Sequence, residues 1–129
     1  MKVTLRDIGG EIVKNDETYK LEDNNYLSNL TYSSTHLNAN KNTKGHSHEK
    51  EEEVYIFTSG EALMQIDDQF HDAKADDVFL IKAGQFHRVL NKSKTHSCTF
   101  TCIFQKYDRS GNNAKYGDLE EEDYPLIEE

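Results

Sequence analysis

Short β-rich apolar runs, each closed by a turn signal, dominate the middle of this 129-residue chain. Val54-Tyr55-Ile56-Phe57-Thr58, Ala62-Leu63-Met64-Gln65-Ile66 and Val78-Phe79-Leu80-Ile81 are three of them. Tyr26 to Tyr32 is expected to begin the series. Thr95 to Gln105 alternates, with Cys98, Phe100, Cys102 and Phe104 on one face and Thr99, Thr101 and Ile103 on the other. Turns are expected at Asn38 to Gly45, at Ser59-Gly60 (read as a hairpin), at Asp67-Asp68, at Lys82-Ala83-Gly84 and at Asn91 to Lys94. No stretch of about twelve residues keeps a helical period. Many short strands with frequent turns lead to an all-β sandwich or barrel. The length suits a single domain.

Charge narrows the partners. The net charge is −9, but residues 118–129 alone hold seven acids and no base, so the rest of the chain is close to neutral. No basic stripe is present, which argues against nucleic acid or an anionic membrane as partner. No long apolar run or signal peptide is visible. The cytoplasm is the expected compartment. Cys98 and Cys102 would lie about 13 Å apart along one strand, beyond disulfide reach.

Three histidines and a carboxylate carry the chemistry. His46 and His48 are two residues apart, so on a strand both imidazoles face one way. Glu53 follows across a bend and shares parity with Tyr55 and Phe57, whereas Glu49, Glu51 and Glu52 read as a solvated cluster. His87 arrives from a distant segment. Neutral imidazoles with one carboxylate suit a divalent transition metal such as Fe, Mn, Ni, Co or Zn. Four protein ligands leave positions on an octahedral ion for water or substrate.

The combined pattern His46-x-His48-x4-Glu53-x6-Gly60, then Gly84-x2-His87-x3-Asn91, resembles the two motifs of the cupin superfamily. The resemblance implies a double-stranded antiparallel β-barrel, or jelly roll, over residues 1–107, with core motifs in 43–91 and an acidic C-terminal extension at 108–129. It implies His46, His48, Glu53 and His87 as metal ligands, with Gly60 and Asn91 serving turns or strand ends. Two positions depart from the pattern. Asp76 stands where the family usually has glycine, and Lys82 where it usually has proline. A homodimer that packs sheet faces is also implied.

Thr43-Lys44-Gly45 before the histidines, with Glu53-Val54-Tyr55 and His87-Arg88-x-x-Asn91, is similar to the cupin-type glucose-6-phosphate isomerases. That likeness implies substrate contacts from Thr43 and Gly45 and a catalytic pair in Glu53 and Tyr55. The expected function is a metal-dependent isomerase or epimerase of a small sugar or sugar phosphate. Alternatives are a metal-dependent dioxygenase or lyase, and a non-catalytic cupin that binds a small-molecule ligand. Lys44, Lys82 and Arg88 could meet an anionic group, but each is read first as an exposed, solvated cation. His96, Thr99 and Thr101 are weaker candidates for the barrel wall. His36 and His71 are read as surface residues.

Overall fold

The computed structural model describes residues 1–106; the acidic extension at 108–129 lies outside them. Nine strands follow in order: β1 (Glu11–Asn15), β2 (Tyr19–Asn24), β3 (Leu30–Leu37), β4 (Glu53–Ser59), β5 (Glu61–Ile66), β6 (Gln69–Lys74), β7 (Val78–Ile81), β8 (His87–Asn91) and β9 (Cys98–Gln105). All pairings are antiparallel. One sheet runs β1-β2-β3-β9-β4-β7 and the other β6-β5-β8. The two sheets face each other as a jelly roll, without closing into one hydrogen-bonded cylinder. No helix among the described residues is long and apolar enough to cross a membrane.

Period-two alternation builds the interior. On β4, Glu53, Tyr55 and Phe57 are buried while Val54, Ile56 and Thr58 are not. On β9, Cys98, Phe100, Cys102 and Phe104 point inward, as the alternation predicts. Leu37, Ala62, Met64 and Val89 close the core from the other strands. Removing the side chain of fully buried Phe57 would cost about 3–5 kcal/mol. Cys98 and Cys102 are free and buried, in line with their spacing.

Several local expectations change. Ser59-Gly60 is not a hairpin turn: β4 pairs with β7 and β9, β5 with β6 and β8, so the chain crosses between sheets there. A Cβ on Gly60 would lie 2.7 Å from the Cys98 Cα, and φ is +80°, so the crossing requires glycine. The first expected strand, Tyr26 to Tyr32, is displaced to Leu30–Leu37. Tyr26 and Leu27 are left exposed, 68% and 54%. β1, β2 and β6 had no counterpart in the sequence reading. Asn91 ends β8, and its side-chain amide reaches the carbonyls of Leu37, Asn38 and His96 at 3.2, 3.0 and 2.9 Å, as a strand-end residue should. Asp76 adopts φ +80°, the conformation for which the family pattern keeps glycine. The Lys82 amide donates to Gln85 Oε1 at 2.9 Å, a bond that proline could not make.

Candidate metal centre

Four segments converge at one end of the barrel. Glu53 opens β4 with its side chain inward. Its amide neighbour Glu52 is exposed, as parity requires. His87 opens β8 and is 1% exposed. His46 and His48 do not sit on a strand. They belong to a loop that touches β8 through two isolated antiparallel bridges, Asn42 to Leu90 and, at the site itself, His46 to His87. The latter is closed by His46 N–H to His87 O at 3.1 Å and His87 N–H to His46 O at 2.9 Å, while Gly84 N–H donates to His48 O. Gly45, at φ +84°, makes this approach possible: a Cβ there would stand 2.5 Å from Phe86 Cζ and 2.9 Å from Arg88 Cβ. The inward aim of both histidines therefore comes from a bridged loop.

The side chains meet closely. Oε2 of Glu53 lies 2.8 Å from His87 Nε2, 3.3 Å from His48 Nε2 and 3.8 Å from His46 Nε2. One ligand atom from each of the four residues falls within 4.8 Å of the others. The imidazole centroids are 4.4–5.4 Å apart. His48, Glu53 and His87 are buried, while His46 is the partly exposed member.

Protonation tests whether this group fits a metal. His87 Nδ1 lies 3.0 Å from the Gln85 carbonyl oxygen, which can only accept, so the ring proton is assigned to Nδ1. Neutral His87 then turns the bare lone pair of Nε2 toward a carboxylate oxygen. Two acceptors 2.8 Å apart need a cation between or beside them. Burial lowers the pKa of His46, an effect that outweighs its attraction to Glu53, so this imidazole resists becoming that cation. Its Nε2 is buried without a hydrogen-bond partner. Burial would raise the Glu53 carboxyl, but contacts with His46, His48 and His87 hold it well below the usual carboxylate range. An ionised carboxylate beside converging imidazole lone pairs is a divalent-metal donor set.

The group opens on a cavity of about 230 Å³ between the sheets. Thr43, Lys44, Gly45 and Tyr55, all singled out by sequence, line it together with His46, Glu53 and His87. The Val89 amide donates to the Thr43 hydroxyl at 3.0 Å, leaving that hydroxyl's own proton available. Tyr55 packs edge-on to His87 and stacks on Phe100. Arg88 is not the solvated cation that was expected: it is 1% exposed, turned away from His87, with Nε donating to Gln65 Oε1 at 2.6 Å. Lys82 and His96 are exposed, and neither they nor Thr99 and Thr101 line this cavity. His36 is exposed and His71 half-buried.

Ser33 and Thr35 on β3, not among the candidates expected from sequence, also face this space. The alternation Thr31, Ser33, Thr35, Leu37 was the available signal, hidden because the strand was placed too early.

A family model for the cupin domain matches residues 34–104, more than half of the chain. The chain belongs to the cupin family. No curated protein sequence matches this cupin. Solved structures resemble it in fold. KdgF from Halomonas sp. is 9% identical over 78% of this chain and 89% of that one, with a TM-score of 0.66. An oxalate decarboxylase formate complex from Lactobacillus farciminis is 17% identical over 83% of this chain and 34% of that one, at 0.68. A protein from Acidithiobacillus ferrooxidans, provisionally named a sugar phosphate isomerase, is 18% identical over 69% of this chain and 61% of that one, at 0.61. Such different names on one fold leave the activity of this cupin to its site.

Proposed function

We propose that this cupin is a metal-dependent isomerase or epimerase of a small sugar or sugar phosphate. The observation that carries the reading is the cluster of His46, His48, Glu53 and His87, of which His46, Glu53 and His87 open onto a cavity of about 230 Å³ beside Thr43 and Tyr55. A divalent ion held by these four side chains would supply Lewis-acid polarisation of a substrate carbonyl and stabilise developing negative charge.

The remaining work falls to the chain's own groups. Thr43 has accepted the Val89 amide and can give its hydroxyl proton to a substrate oxygen. Gly45 lets the loop backbone that borders the cavity pack closely on Phe86 and Arg88. Exposed Lys44 stands at the rim, suited to an anionic end of the substrate. Glu53, held ionised by its histidine contacts, and Tyr55 both line the cavity and are assigned the proton transfer together.

The volume supports a second reading. About 230 Å³ is small for a hexose phosphate and ample for a short carboxylic acid, which favours a lyase of a small acid as the alternative. Metal-loaded protein should interconvert aldoses and ketoses, or their phosphates, in a panel of three- to six-carbon substrates. Carbon dioxide release from short acids, with no isomerisation, would move the assignment to the lyase. We further propose a homodimer built on the outer face of the large sheet.

A further inference from the structure

β3 buries hydroxyls where a core strand would carry apolar groups. Its inward residues are Thr31, Ser33, Thr35 and Leu37, exposed by 3%, 3%, 5% and 0%. A buried hydroxyl without a partner costs about 1–3 kcal/mol, so such a row needs an explanation. Thr31 has one, donating to Asn25 Oδ1 at 2.8 Å. Ser33 contacts the thiol of Cys102, its cross-strand partner. The Thr35 hydroxyl makes no hydrogen bond to any described residue and, unlike the sealed Thr101 hydroxyl, opens on the cavity, where water or a ligand can pair with it.

Register relates this row to the metal centre. Ser33 pairs with Cys102, which pairs with Tyr55. Thr35 pairs with Phe100, which pairs with Phe57. β3 and the strand that bears Glu53 are two sheet spacings apart, about 10 Å, and because Glu53 is level with Thr31 through Phe104, Ser33 and Thr35 lie about 7 and 13 Å further along β3. Phe100 and Cys102 form an apolar floor between them. A ligand that touched both ends would span this floor. It would carry oxygen donors at the metal end and hydroxyls at the other.

We infer that Ser33 and Thr35, which line the same cavity as Glu53 and His87, are substrate-recognition hydroxyls that read the hydroxyl groups of a short sugar or sugar acid. The assignment rests on the reading of His46, His48, Glu53 and His87 as a metal centre. Thr35 is both donor and acceptor and can pair with a ligand hydroxyl of either sense, whereas an alkyl chain would leave it unsatisfied. The site therefore selects against apolar ligands of equal length. Lys44 at the rim suits a carboxylate or phosphate on the same ligand.

Isothermal titration calorimetry on the metal-loaded protein, with D-gluconate and hexanoate as probes, tests this. Both probes carry one carboxylate and six carbons. Gluconate should bind wild-type protein at least about tenfold more tightly. Thr35→Val keeps the side-chain shape and should weaken gluconate about tenfold while leaving hexanoate unchanged. Ser33→Ala should act in the same direction, and elemental analysis should show an unaltered metal content in both variants. Unchanged gluconate affinity in metal-loaded Thr35→Val, or hexanoate binding as tightly as gluconate to wild type, overturns the assignment. Wild-type protein that takes up no metal defeats the underlying centre instead, and is read from the elemental analysis alone.

Discussion

Nε2 of His87 stands 2.8 Å from Oε2 of Glu53, and the Gln85 carbonyl on the far side of the ring keeps the His87 proton on Nδ1. The contact is favourable only with added positive charge, from a bound ion or an extra proton. Metal-free protein is therefore expected to be under electrostatic tension at this point, and binding should stabilise the fold by mass action. At a metal concentration about 100 times Kd the gain is about 2.7 kcal/mol, on the order of 10 °C in Tm for a domain of this size. Calorimetry of chelator-stripped protein with and without Mn²⁺ or Zn²⁺ would read it. His87→Gln should abolish the metal-dependent gain and leave less than one ion per chain; a full gain in that variant would remove His87 from the ligand set.

The same burial gives the metal-free protein a pH dependence. The folded-state pKa of His46 lies below its ordinary 6.5 because burial disfavours the cation. As pH falls through that ordinary value, the unfolded chain takes up a proton that folded His46 resists, so stability falls with pH. Glu53 adds the same sign lower down. Its folded pKa is depressed from 4.5, so its contribution is present above that value and is lost as acid overcomes it. Tm of the stripped protein should be lower at about pH 5.5 than at about pH 7.5, and His46→Gln should flatten that difference. An equal slope in the variant would assign the effect elsewhere.

Asp76 occupies a left-handed conformation, φ +80°, at a position where the family pattern has glycine. The residue is exposed and its amide is already engaged with the Phe57 carbonyl at 2.9 Å, so a side chain is not needed to hold the turn. Asp76→Gly should relieve strain worth about 1 kcal/mol and raise the urea midpoint by roughly 0.5 M with an unchanged m-value. A lowered midpoint would mean that the carboxylate supports the turn in another way.

The ligands were legible because spacing and parity are local: Glu53 separates from Glu52 by period two alone. The means of delivery was not, since His46 and His48 reach inward through a bridge to His87 that joins positions 41 residues apart. β1 escaped notice because all five of its residues are exposed, so no face is marked by hydrophobicity. β2 turns Asp23 toward the interior and β6 reads Gln-Phe-His-Asp-Ala-Lys, which breaks simple alternation. Arg88 illustrates the remaining limit: composition assigns it to solvent, and only the tertiary partner Gln65 explains its burial.

The outer face of the six-stranded sheet bears on assembly. Outward positions on β3, β4, β9 and β7 bring Leu30, Tyr32, Val54, Ile56, Ile103, Val78 and Leu80 onto one surface. Val78 is 53% and Leu80 72% exposed, and a neighbouring groove of about 420 Å³ is walled by Ile56, Ile103, Tyr26 and Leu27. Contiguous apolar surface on a sheet face marks an interaction site more often than a solvated one. A second copy laid face to face would cover these residues on both protomers at once, which is the self-complementarity that a twofold interface demands. About 800 Å² per protomer is needed for a stable pair, a size that such a sheet face can supply. Light scattering on the eluting peak should give a dimer for wild type. Leu80→Lys combined with Ile56→Glu places charge on the face without touching the inward core, so it should give a monomer with unchanged β-sheet circular dichroism. A wild-type monomer at about 100 µM would remove this face from consideration, because an interface of that area should hold at micromolar concentration or below.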